Sequence, residues 1–234
     1  MKLGIIGAMA VEVELLKERM QNKTVEKIGK MEFCQGTLQG TQVVVVQCGV
    51  GKVHAAMCAQ ILCDRYEVTH IVNTGVAGSL DAQLDIGDVV VSEDAMYHDF
   101  DCSYVGYPAG QVPGQDVVSF PADDRLIALA MESSESLKPG HTKLGRVATG
   151  DQFVCSTQQK EHIIAVTNAR CTEMEGAAIA QVAYSNGVPF VILRAISDKA
   201  DHSAQMDYPA FEKMAAEHCA AVTEGLARRM KEVM

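Results

Sequence analysis

The chain alternates short apolar, β-branched runs with longer segments that carry apolar residues at helical spacing. The short runs are typical of strands, and several are apolar on both faces, as in strands that helices cover on both sides. The predicted strands are Lys2–Ile6, Val43–Cys48, His70–Thr74, Asp88–Ser92, Val147–Thr149 and Phe190–Ile196.

The segments between these strands predict six helices. The last is the longest, and Phe211, Cys219 and Leu226 fall on one apolar face of it. Strands that alternate with helices indicate an α/β fold, so we predict one domain over residues 1–234 around a largely parallel or mixed sheet. The predicted helices are Val11–Met20, Lys52–Tyr66, Asp124–Glu135, Gln159–Val166, Gly176–Asn186 and Tyr208–Glu232.

The charge balance limits the partners of the chain. Of its 234 residues, 48% are hydrophobic and 21% are charged, and the formal net charge is −10. An acidic surface repels phosphate groups, so we expect neither nucleic acid nor an anionic membrane as a partner. No stretch reaches the roughly 18 consecutive apolar residues of a membrane span. The segment MKLGIIGAMAVE lacks the apolar core of a signal peptide. We therefore predict a cytoplasmic protein.

The cysteines and histidines give little support for a metal site. Eight cysteines are scattered without a C-x-x-C motif, and the spacings of structural zinc sites are absent. We expect reduced thiols that mostly fill the core. The segment YHDFD, residues 97–101, offers an alternative in the form of a divalent-cation site, but one histidine with two nearby acids is weak evidence. We predict no metal.

Candidate chemistry follows the ends of the predicted strands. The segments GAMAVE, CGVGK, GVAGSL, GDQFV, EMEG and SDKAD all come after apolar runs, and ligands of open α/β sheets gather at the carboxyl ends of strands. Glycines in these segments let backbone amides approach a ligand closely. Three segments also supply carboxylates, namely Glu12, the pair Glu173 and Glu175, and Asp198. This convergence predicts a site for a polar ligand.

Glu173 and Glu175 flank Met174 just before the apolar run AAIAQVA, which argues against a wetted surface. Carboxylates that face a pocket accept hydrogen bonds from sugar hydroxyls and stabilise positive charge at an anomeric carbon. Each acid also has a structural explanation when it is taken alone. Glu12 suits the first turn of a helix, Asp198 suits a helix cap, and a buried Arg194 would have to neutralise an acid.

Several motifs together resemble one enzyme family, the 5′-methylthioadenosine/S-adenosylhomocysteine nucleosidases of the purine nucleoside phosphorylase and uridine phosphorylase superfamily. They are GIIGAMAVEVELL, GVGKVHAA, NTGVAGSL, GDVVVS, GDQFV, EMEGAAIA and VPFVILRAISDKAD, in family order from Met1 past Asp201. The resemblance implies a single α/β domain with a twisted, partly barrel-like mixed β-sheet flanked by helices. It also implies a homodimer without cofactor that hydrolyses the N-glycosidic bond of adenine nucleoside thioethers and releases adenine.

The resemblance also implies roles for individual residues. Glu12 matches the general base that activates water, Asp198 the general acid at the five-membered ring of adenine, and Glu175 the ligand of the ribose hydroxyls. Phe153 matches the ring that stacks on adenine, and the backbone of Val154 matches the group that reads its edge. The other implied binding positions are Met9, Val50, Ala77, Gly78, Glu173, Met174, Arg194, Ser197 and Tyr208, and Val105, Tyr107 and Pro113 are implied to enter the site of a neighbouring subunit.

Two positions depart from the family pattern, and both bear on the substrate. Val76 stands where some members carry serine, and Val105 replaces a larger apolar residue of some relatives. The sequence does not rank methylthioadenosine, S-adenosylhomocysteine, 5′-deoxyadenosine and aminodeoxyfutalosine as substrates.

Two other functions are compatible with the same motifs. A phosphorolytic relative would need a cluster of cations to hold phosphate; CGVGK and NTGVAGSL contain no arginine, and Glu12 would repel the anion. A catalytically inactive nucleoside-binding protein would have no use for both a base and an acid. Hydrolysis is therefore the function that the sequence favours.

Overall fold

The computed structural model describes residues 1–233, which form ten strands, six α-helices and a single 3₁₀ turn. The strands are β1 (Leu3–Gly7), β2 (Gln21–Ile28), β3 (Met31–Leu38), β4 (Thr41–Gln47), β5 (His70–Ser79), β6 (Val89–Tyr97), β7 (Phe120–Pro121), β8 (Thr142–Thr149), β9 (Cys171–Glu173) and β10 (Phe190–Asp198). The helices are α1 (Ala10–Arg19), α2 (Lys52–Asp64), α3 (Asp124–Leu137), α4 (Thr157–Thr167), α5 (Gly176–Asn186) and α6 (Ala204–Val233).

All ten strands belong to one mixed sheet, which is partly closed. Its order is β10-β6-β8-β9-β5-β1-β4-β3-β2, with β7 paired to β6. Because β5 also pairs with β10, the strands β10, β6, β8, β9 and β5 form a closed five-stranded barrel. Strands β1 to β4 extend the sheet beyond the barrel. The predicted α/β fold with a twisted, partly barrel-like mixed sheet is confirmed. That residues 1–234 form one domain stays a prediction, and Met234 lies outside the described residues.

Every predicted strand and helix is present, but four strands were missed. The hairpin of β2 and β3 was missed because β2 reads QNKTVEKI, which is polar and mostly exposed at the edge of the sheet. The short strands β7 and β9 carry too few residues to show a period. The prediction also ended β5 at Thr74, whereas pairing with β9 and β10 extends it through Ser79. Closure of the barrel is a long-range effect that local patterns do not reveal.

The two largest of three apolar clusters lie on the two faces of the sheet. One contains Ile6 and Phe33 from the strands together with Leu62 of α2 and Ile179 of α5. The other packs strand residues such as Leu3 against α1, α3 and α6. Five of the eight free cysteines are buried, which agrees with their expected place in the core. None of the helices within residues 1–233 combines the length and the apolar run needed to cross a bilayer.

The fold brings several predicted segments to one end of the sheet. Strands β4 and β5 run parallel to β1, and β10 runs parallel to β5, so their carboxyl ends point the same way. GAMAVE and CGVGK follow two of these strands, GVAGS ends β5, and Asp198 ends β10. Strands β8 and β9 run parallel to each other and antiparallel to β5, and the pairing of β9 with the end of β5 brings GDQFV and EMEG to the same end of the sheet. A single cavity at this end can therefore receive side chains from all six strands.

Candidate active site

A cavity of about 230 Å³ opens at this end of the sheet. Most of the predicted site residues line it. The lining consists of Ala8, Met9, Glu12, Val50, Val76, Ala77, Gly78, Gln152, Phe153, Val154, Thr172, Glu173, Met174, Glu175, Ser197, Asp198 and Tyr208. Ala8, Gln152 and Thr172 were not predicted, and Val76 had been noted only as a departure from the family pattern. Each of these four adjoins a predicted residue in the chain, and adjacency to a strand end is the signal that could have identified them.

Glu12 is held by the backbone at the start of α1. Its Oε2 accepts hydrogen bonds from the amides of Ala8 (2.6 Å) and Met9 (2.9 Å), and Oε1 accepts one from Val76 N (3.1 Å). The side chain is only 2% exposed. Burial raises the pKa of Glu12, and the charge of Arg194 and the three amides oppose that rise. The result is a fixed carboxylate with a raised affinity for protons.

Gly75 permits this arrangement. A Cβ atom at position 75 would collide with the Glu12 carboxylate and with the guanidinium of Arg194. The absence of a side chain in the middle of β5 therefore lets the acid and the cation lie against the strand.

Arg194 does not line the cavity but lies behind it, where its guanidinium pairs with three acids. Its side chain is 1% exposed. Nη2 donates to Asn73 Oδ1 (2.6 Å) and to Glu173 Oε2, and it lies 3.7 Å from Glu175 Oε2. Nη1 lies 4.0 Å from Glu12 Oε1. Burial alone would lower the pKa of Arg194, but the three glutamates reverse this effect and raise it. The guanidinium is therefore a permanent cation shared by three carboxylates.

Glu173 holds the start of α5. Its carboxylate accepts hydrogen bonds from the amides of Glu175 (3.1 Å) and Gly176 (2.7 Å) and from the Thr149 hydroxyl, besides the bond from Arg194. Carboxylates at a helix N-terminus satisfy amides that have no partner within the helix. Glu173 thus touches the cavity, but protein groups already occupy its oxygens.

Glu175, in contrast, presents a carboxylate to the cavity. Its Oε1 accepts a hydrogen bond from Gly51 N (2.8 Å), at the start of α2. The pKa of Glu175 is raised to about 7, first by burial and then by the neighbouring Glu173, against the lowering effect of Arg194 and the Gly51 amide. This carboxylate is the one with an oxygen available to a bound hydroxyl.

Asp198 closes the cavity from the end of β10. Its Oδ1 accepts from Ala200 N (2.8 Å) and Oδ2 accepts from the Ser197 hydroxyl (2.8 Å). The residue is 3% exposed. Burial raises the pKa of Asp198 against the effect of these two hydrogen bonds. A carboxyl group in this setting retains a proton at higher pH than an exposed aspartate does.

Apolar side chains form the rest of the lining. The rings of Phe153 and Tyr208 meet edge to face with centroids 5.4 Å apart, and Phe153 remains 47% exposed. The Tyr208 hydroxyl lies 3.3 Å from the sulfur of Met9. Together with Val50, these groups suit a flat aromatic base and an apolar substituent beside a polar sugar.

The YHDFD segment does not form a metal site in the described part of the chain. Asp99 accepts two hydrogen bonds from Lys52 Nζ, at 2.8 and 2.7 Å, and Asp101 accepts one from Ser103 N at 2.8 Å. Within residues 1–233, no group of three or more His, Cys, Asp or Glu side chains could hold a metal ion. The acids of this segment bind protein groups instead.

Val105, Tyr107 and Pro113 lie outside the cavity. All three belong to the segment between β6 and β7 and are exposed, with Val105 at 72%. Their implied contribution to the site of a neighbouring subunit stays a prediction.

Comparison with known proteins connects this geometry to a family. The family model of the Phosphorylase superfamily matches residues 2–228. The chain is 36% identical to the 5′-methylthioadenosine/S-adenosylhomocysteine nucleosidase of Bacillus subtilis (strain 168), over 98% of this chain and 100% of that protein. Its fold matches the crystal structure of the methylthioadenosine/adenosylhomocysteine nucleosidase from Colwellia psychrerythraea 34H in complex with adenine, with a TM-score of 0.93 and 38% identity. That match covers 97% of this chain and 94% of the other.

A third neighbour carries a different name. The futalosine hydrolase of Helicobacter pylori strain 26695 matches with a TM-score of 0.92 and 32% identity, over 97% of each chain. The identities to the nucleosidases extend over nearly the whole chain, and the cavity contains the carboxylates that the family motifs predict. The chain belongs to the 5′-methylthioadenosine/S-adenosylhomocysteine nucleosidase family of the Phosphorylase superfamily.

Proposed function

We propose that this protein hydrolyses the N-glycosidic bond of 5′-methylthioadenosine and S-adenosylhomocysteine and releases adenine. The observation that carries the proposal is the convergence of three buried carboxylates, Glu12, Glu175 and Asp198, on one cavity with an apolar side. Each carboxylate has different partners, so each can perform a different task. The nucleosidase with bound adenine that shares this fold supports the assignment.

Glu12 is the proposed general base. Its raised pKa makes it a better proton acceptor than an exposed glutamate, and the amides of Ala8, Met9 and Val76 fix its orientation. A water beside it loses a proton to the carboxylate as its oxygen attacks the anomeric carbon. A positioned base of this kind typically contributes about 10²–10⁴-fold to the rate.

Glu175 is the proposed ligand of the ribose. Its free oxygen accepts hydrogen bonds from sugar hydroxyls, and its negative charge stabilises the oxocarbenium-like transition state. Because Gly51 N already holds the other oxygen, the carboxylate needs little rearrangement when substrate binds. The ionised form is the active one in this role.

Asp198 is the proposed general acid. Adenine leaves readily once its five-membered ring accepts a proton, and Asp198 supplies that proton as the carbon–nitrogen bond breaks. The products are adenine and a 5-thioribose, and the enzyme is left with Glu12 protonated and Asp198 ionised. Exchange of protons with solvent restores both groups. Phe153 is proposed to stack on the base, with the Val154 backbone at its edge.

Phosphorolysis is the less favoured alternative. The only arginine beside the cavity within residues 1–233 is Arg194, which already serves Glu12, Glu173 and Glu175. A phosphate anion would therefore face carboxylates without a free cation. A purely binding role would leave the base and the acid without a purpose.

Related nucleosides are further proposed substrates. The likeness to a futalosine hydrolase supports cleavage of other nucleosides with a modified 5′ position, including 5′-deoxyadenosine and aminodeoxyfutalosine. The apolar part of the lining, with Met9, Val50 and Tyr208, is the proposed place of the 5′ substituent. These residues contact a thioether without requiring a particular hydrogen bond from it.

We further propose that the protein is a cytoplasmic homodimer that acts in methionine salvage. Eight free cysteines suit a reducing compartment, and the thioribose product retains the sulfur that salvage recovers. Exposed apolar side chains support the dimer. Val53 and Met57 of α2 are 69% and 52% exposed, Val105 is 72% exposed, and Tyr104 is fully exposed. Such groups mark protein interfaces when they form a patch.

The first prediction concerns the acid and the base. Glu12→Gln and Asp198→Asn should each lower kcat by about 10²–10⁴-fold, because each removes one proton-transfer step. Both variants should remain folded, since the amide side chains have the same shape, but Glu12→Gln should unfold at a lower temperature because its amide nitrogen cannot accept the backbone hydrogen bond that the carboxylate oxygen accepted. Glu14→Gln, an exposed residue of α1, is the matched control and should retain full activity. Near-normal adenine release by either cavity variant would contradict the role given to that residue.

The second prediction concerns pH. The ratio kcat/KM should fall as the pH drops through about 7, because Glu175 becomes protonated there. The free energy of unfolding should change in the opposite direction and increase as the pH drops. The folded state holds this proton more tightly than the unfolded state, whose pKa is near 4.5. The free energy of unfolding should therefore fall by up to about 3 kcal/mol as the pH rises from about 4.5 to above 7.

Glu175→Gln tests both halves of this prediction. It should lower kcat/KM, and between about pH 5 and about pH 8 it should remove the part of the stability loss that Glu175 contributes, while Glu12 and Asp198, whose pKa values are also raised, keep theirs. The measurements are initial rates and urea unfolding across that range. A stability profile that is unchanged by the substitution would refute the assignment.

The third prediction concerns the dimer. Sedimentation at about micromolar concentration, where interfaces of standard size are normally occupied, should give twice the mass of one chain. Val105→Asp should weaken the association and raise KM together, because the residue is proposed to reach the site of its neighbour. A fully active monomer would exclude the shared site.

A further inference from the structure

Three loops beside the cavity are joined by one lysine and two aspartates, which we call the Lys52 cluster (Lys52, Asp99 and Asp151). Lys52 Nζ donates to both carboxylate oxygens of Asp99, at 2.8 and 2.7 Å, and lies 3.8 Å from Asp151 Oδ2. It also lies 5.4 Å from the centroid of the Tyr97 ring. The side chains of Lys52 and Asp99 are 23% and 15% exposed, so this pair is shielded from water better than most surface pairs.

The cluster fixes the start of α2. Asp151 Oδ1 accepts a hydrogen bond from Lys52 N (2.9 Å), so the carboxylate binds an amide at the positive end of the helix. Gly51, just before the helix, has φ +96°, and a Cβ there would lie 3.1 Å from the same oxygen. The next amide back, Gly51 N, donates to Glu175. Asp151 therefore holds the Gly51–Lys52 backbone, and the Gly51 amide of that backbone binds Glu175, the residue proposed to bind the ribose.

The cluster also fixes the loop after β8. Asp99 Oδ2 accepts a hydrogen bond from Asp151 N (2.9 Å), which ties this loop to the loop after β6. The residues that follow Asp151, from Gln152 to Val154, line the cavity. The position of Phe153 over the cavity thus depends on a bond made two residues earlier in the chain.

We propose that Lys52, Asp99 and Asp151 are positioning residues, which hold the Gly51 amide against Glu175 and hold the Phe153 loop at the cavity. One ion-pair cluster thereby positions both the Glu175 carboxylate, which is proposed to bind the ribose, and the Phe153 ring, which is proposed to stack on adenine. The cluster itself touches neither the substrate nor the reacting atoms. This inference rests on the proposed function, since it gives Glu175 and Phe153 their tasks.

A purely structural ion pair is the competing explanation, and the chain offers a matched control. The side chain of Asp94, in β6, is also 15% exposed. It accepts hydrogen bonds from Nε and Nη2 of Arg146, each at 2.7 Å. It differs from Asp99 in having no bond to the loops that line the cavity, at least among residues 1–233. Asp94→Asn and Asp99→Asn therefore break similar ion pairs, but only Asp99→Asn weakens the Lys52 cluster and the hold that it is proposed to have on Gly51 and on the Phe153 loop.

The sign of the pKa change separates positioning from simple electrostatics. The titratable groups that face Glu175 are Glu12 from α1, Glu173 from β9, Arg194 from β10 and the Cys48 thiol after β4. The Gly51 amide lowers the pKa of Glu175. Loss of the negative charge of Asp99 would by itself lower that pKa further. Loss of the Gly51 hydrogen bond would raise it.

The test is the pKa of Glu175 in wild type, Asp99→Asn and Asp94→Asn, measured in two ways. One is the shift of the acid limb of kcat/KM for methylthioadenosine between variants, a limb to which ionisation of Glu12 also contributes. The other is the carboxyl ¹³C titration of glutamate-labelled protein, in which the Glu175 signal is identified by its loss in Glu175→Gln. The NMR measurement does not require turnover. If the wild-type protein released no adenine, the proposed function would be refuted, but the positioning role of the Lys52 cluster could still be tested.

Asp99→Asn should raise the pKa of Glu175 by about one unit, the effect of losing one hydrogen bond to a charged group. That shift lowers kcat/KM about fivefold at pH 7, and KM should rise as well because the Phe153 loop is loosened. Asp94→Asn should leave both the acid limb and KM unchanged. An unchanged or lowered pKa in Asp99→Asn, or an equal shift in Asp94→Asn, would overturn the proposal.

A second variant keeps the test decisive if Asp99→Asn fails to fold. Asp151→Ala removes the acceptor of Lys52 N at a side chain that is 49% exposed, where the fold tolerates substitution. It also removes a negative charge, so electrostatics and positioning again predict opposite signs. A raised pKa of Glu175 in Asp151→Ala supports the positioning role of the Lys52 cluster, and an unchanged or lowered pKa overturns it.

Discussion

The site depends on one buried cation, the guanidinium of Arg194 in the middle of β10. Glu12, Glu173 and Glu175 are each within 4.0 Å of it, and all four side chains are almost completely buried. Buried charges are costly unless they are paired and hydrogen-bonded. Arg194 donates a hydrogen bond to Glu173 and lies within ion-pair distance of Glu12 and Glu175, so it balances the charge of three acids at once. Backbone amides supply the hydrogen bonds of Glu12 and Glu175. The cavity can therefore retain negative charge where a ribose cation would form.

The carboxylates differ because their partners differ. Glu173 is committed to the amides at the start of α5, whereas Glu12 is held by amides from the β1–α1 loop and from β5, and Glu175 keeps an oxygen for a ligand. Asp198 has no guanidinium within ion-pair distance in the described chain, and burial raises its pKa. One functional group, the carboxylate, thus performs several tasks.

The sequence predicted the acids, and the family resemblance implied a role for each, but the local pattern did not reveal the partners that hold them. Glu12, Glu175 and Asp198 were found because each follows an apolar strand, and strand ends converge in this fold. The capping role of Glu173 could not be read from EMEG, since it depends on Thr149 and Arg194, which are 24 and 21 residues distant. The resemblance implied a partly barrel-like sheet, but local patterns did not reveal that β5 pairs with β10 to close it, nor that Lys52 binds Asp99. Local patterns identify elements, and pairings distant in sequence become visible only in the structure.

The central claim is that water, activated at Glu12, attacks a nucleoside whose ribose lies at Glu175. The most direct measurement is adenine release from 5′-methylthioadenosine in H₂¹⁸O, with and without phosphate, on chelator-treated protein. The account predicts equal rates in both buffers and one ¹⁸O atom in the thioribose product. Release that requires phosphate and yields a sugar phosphate without ¹⁸O would contradict it.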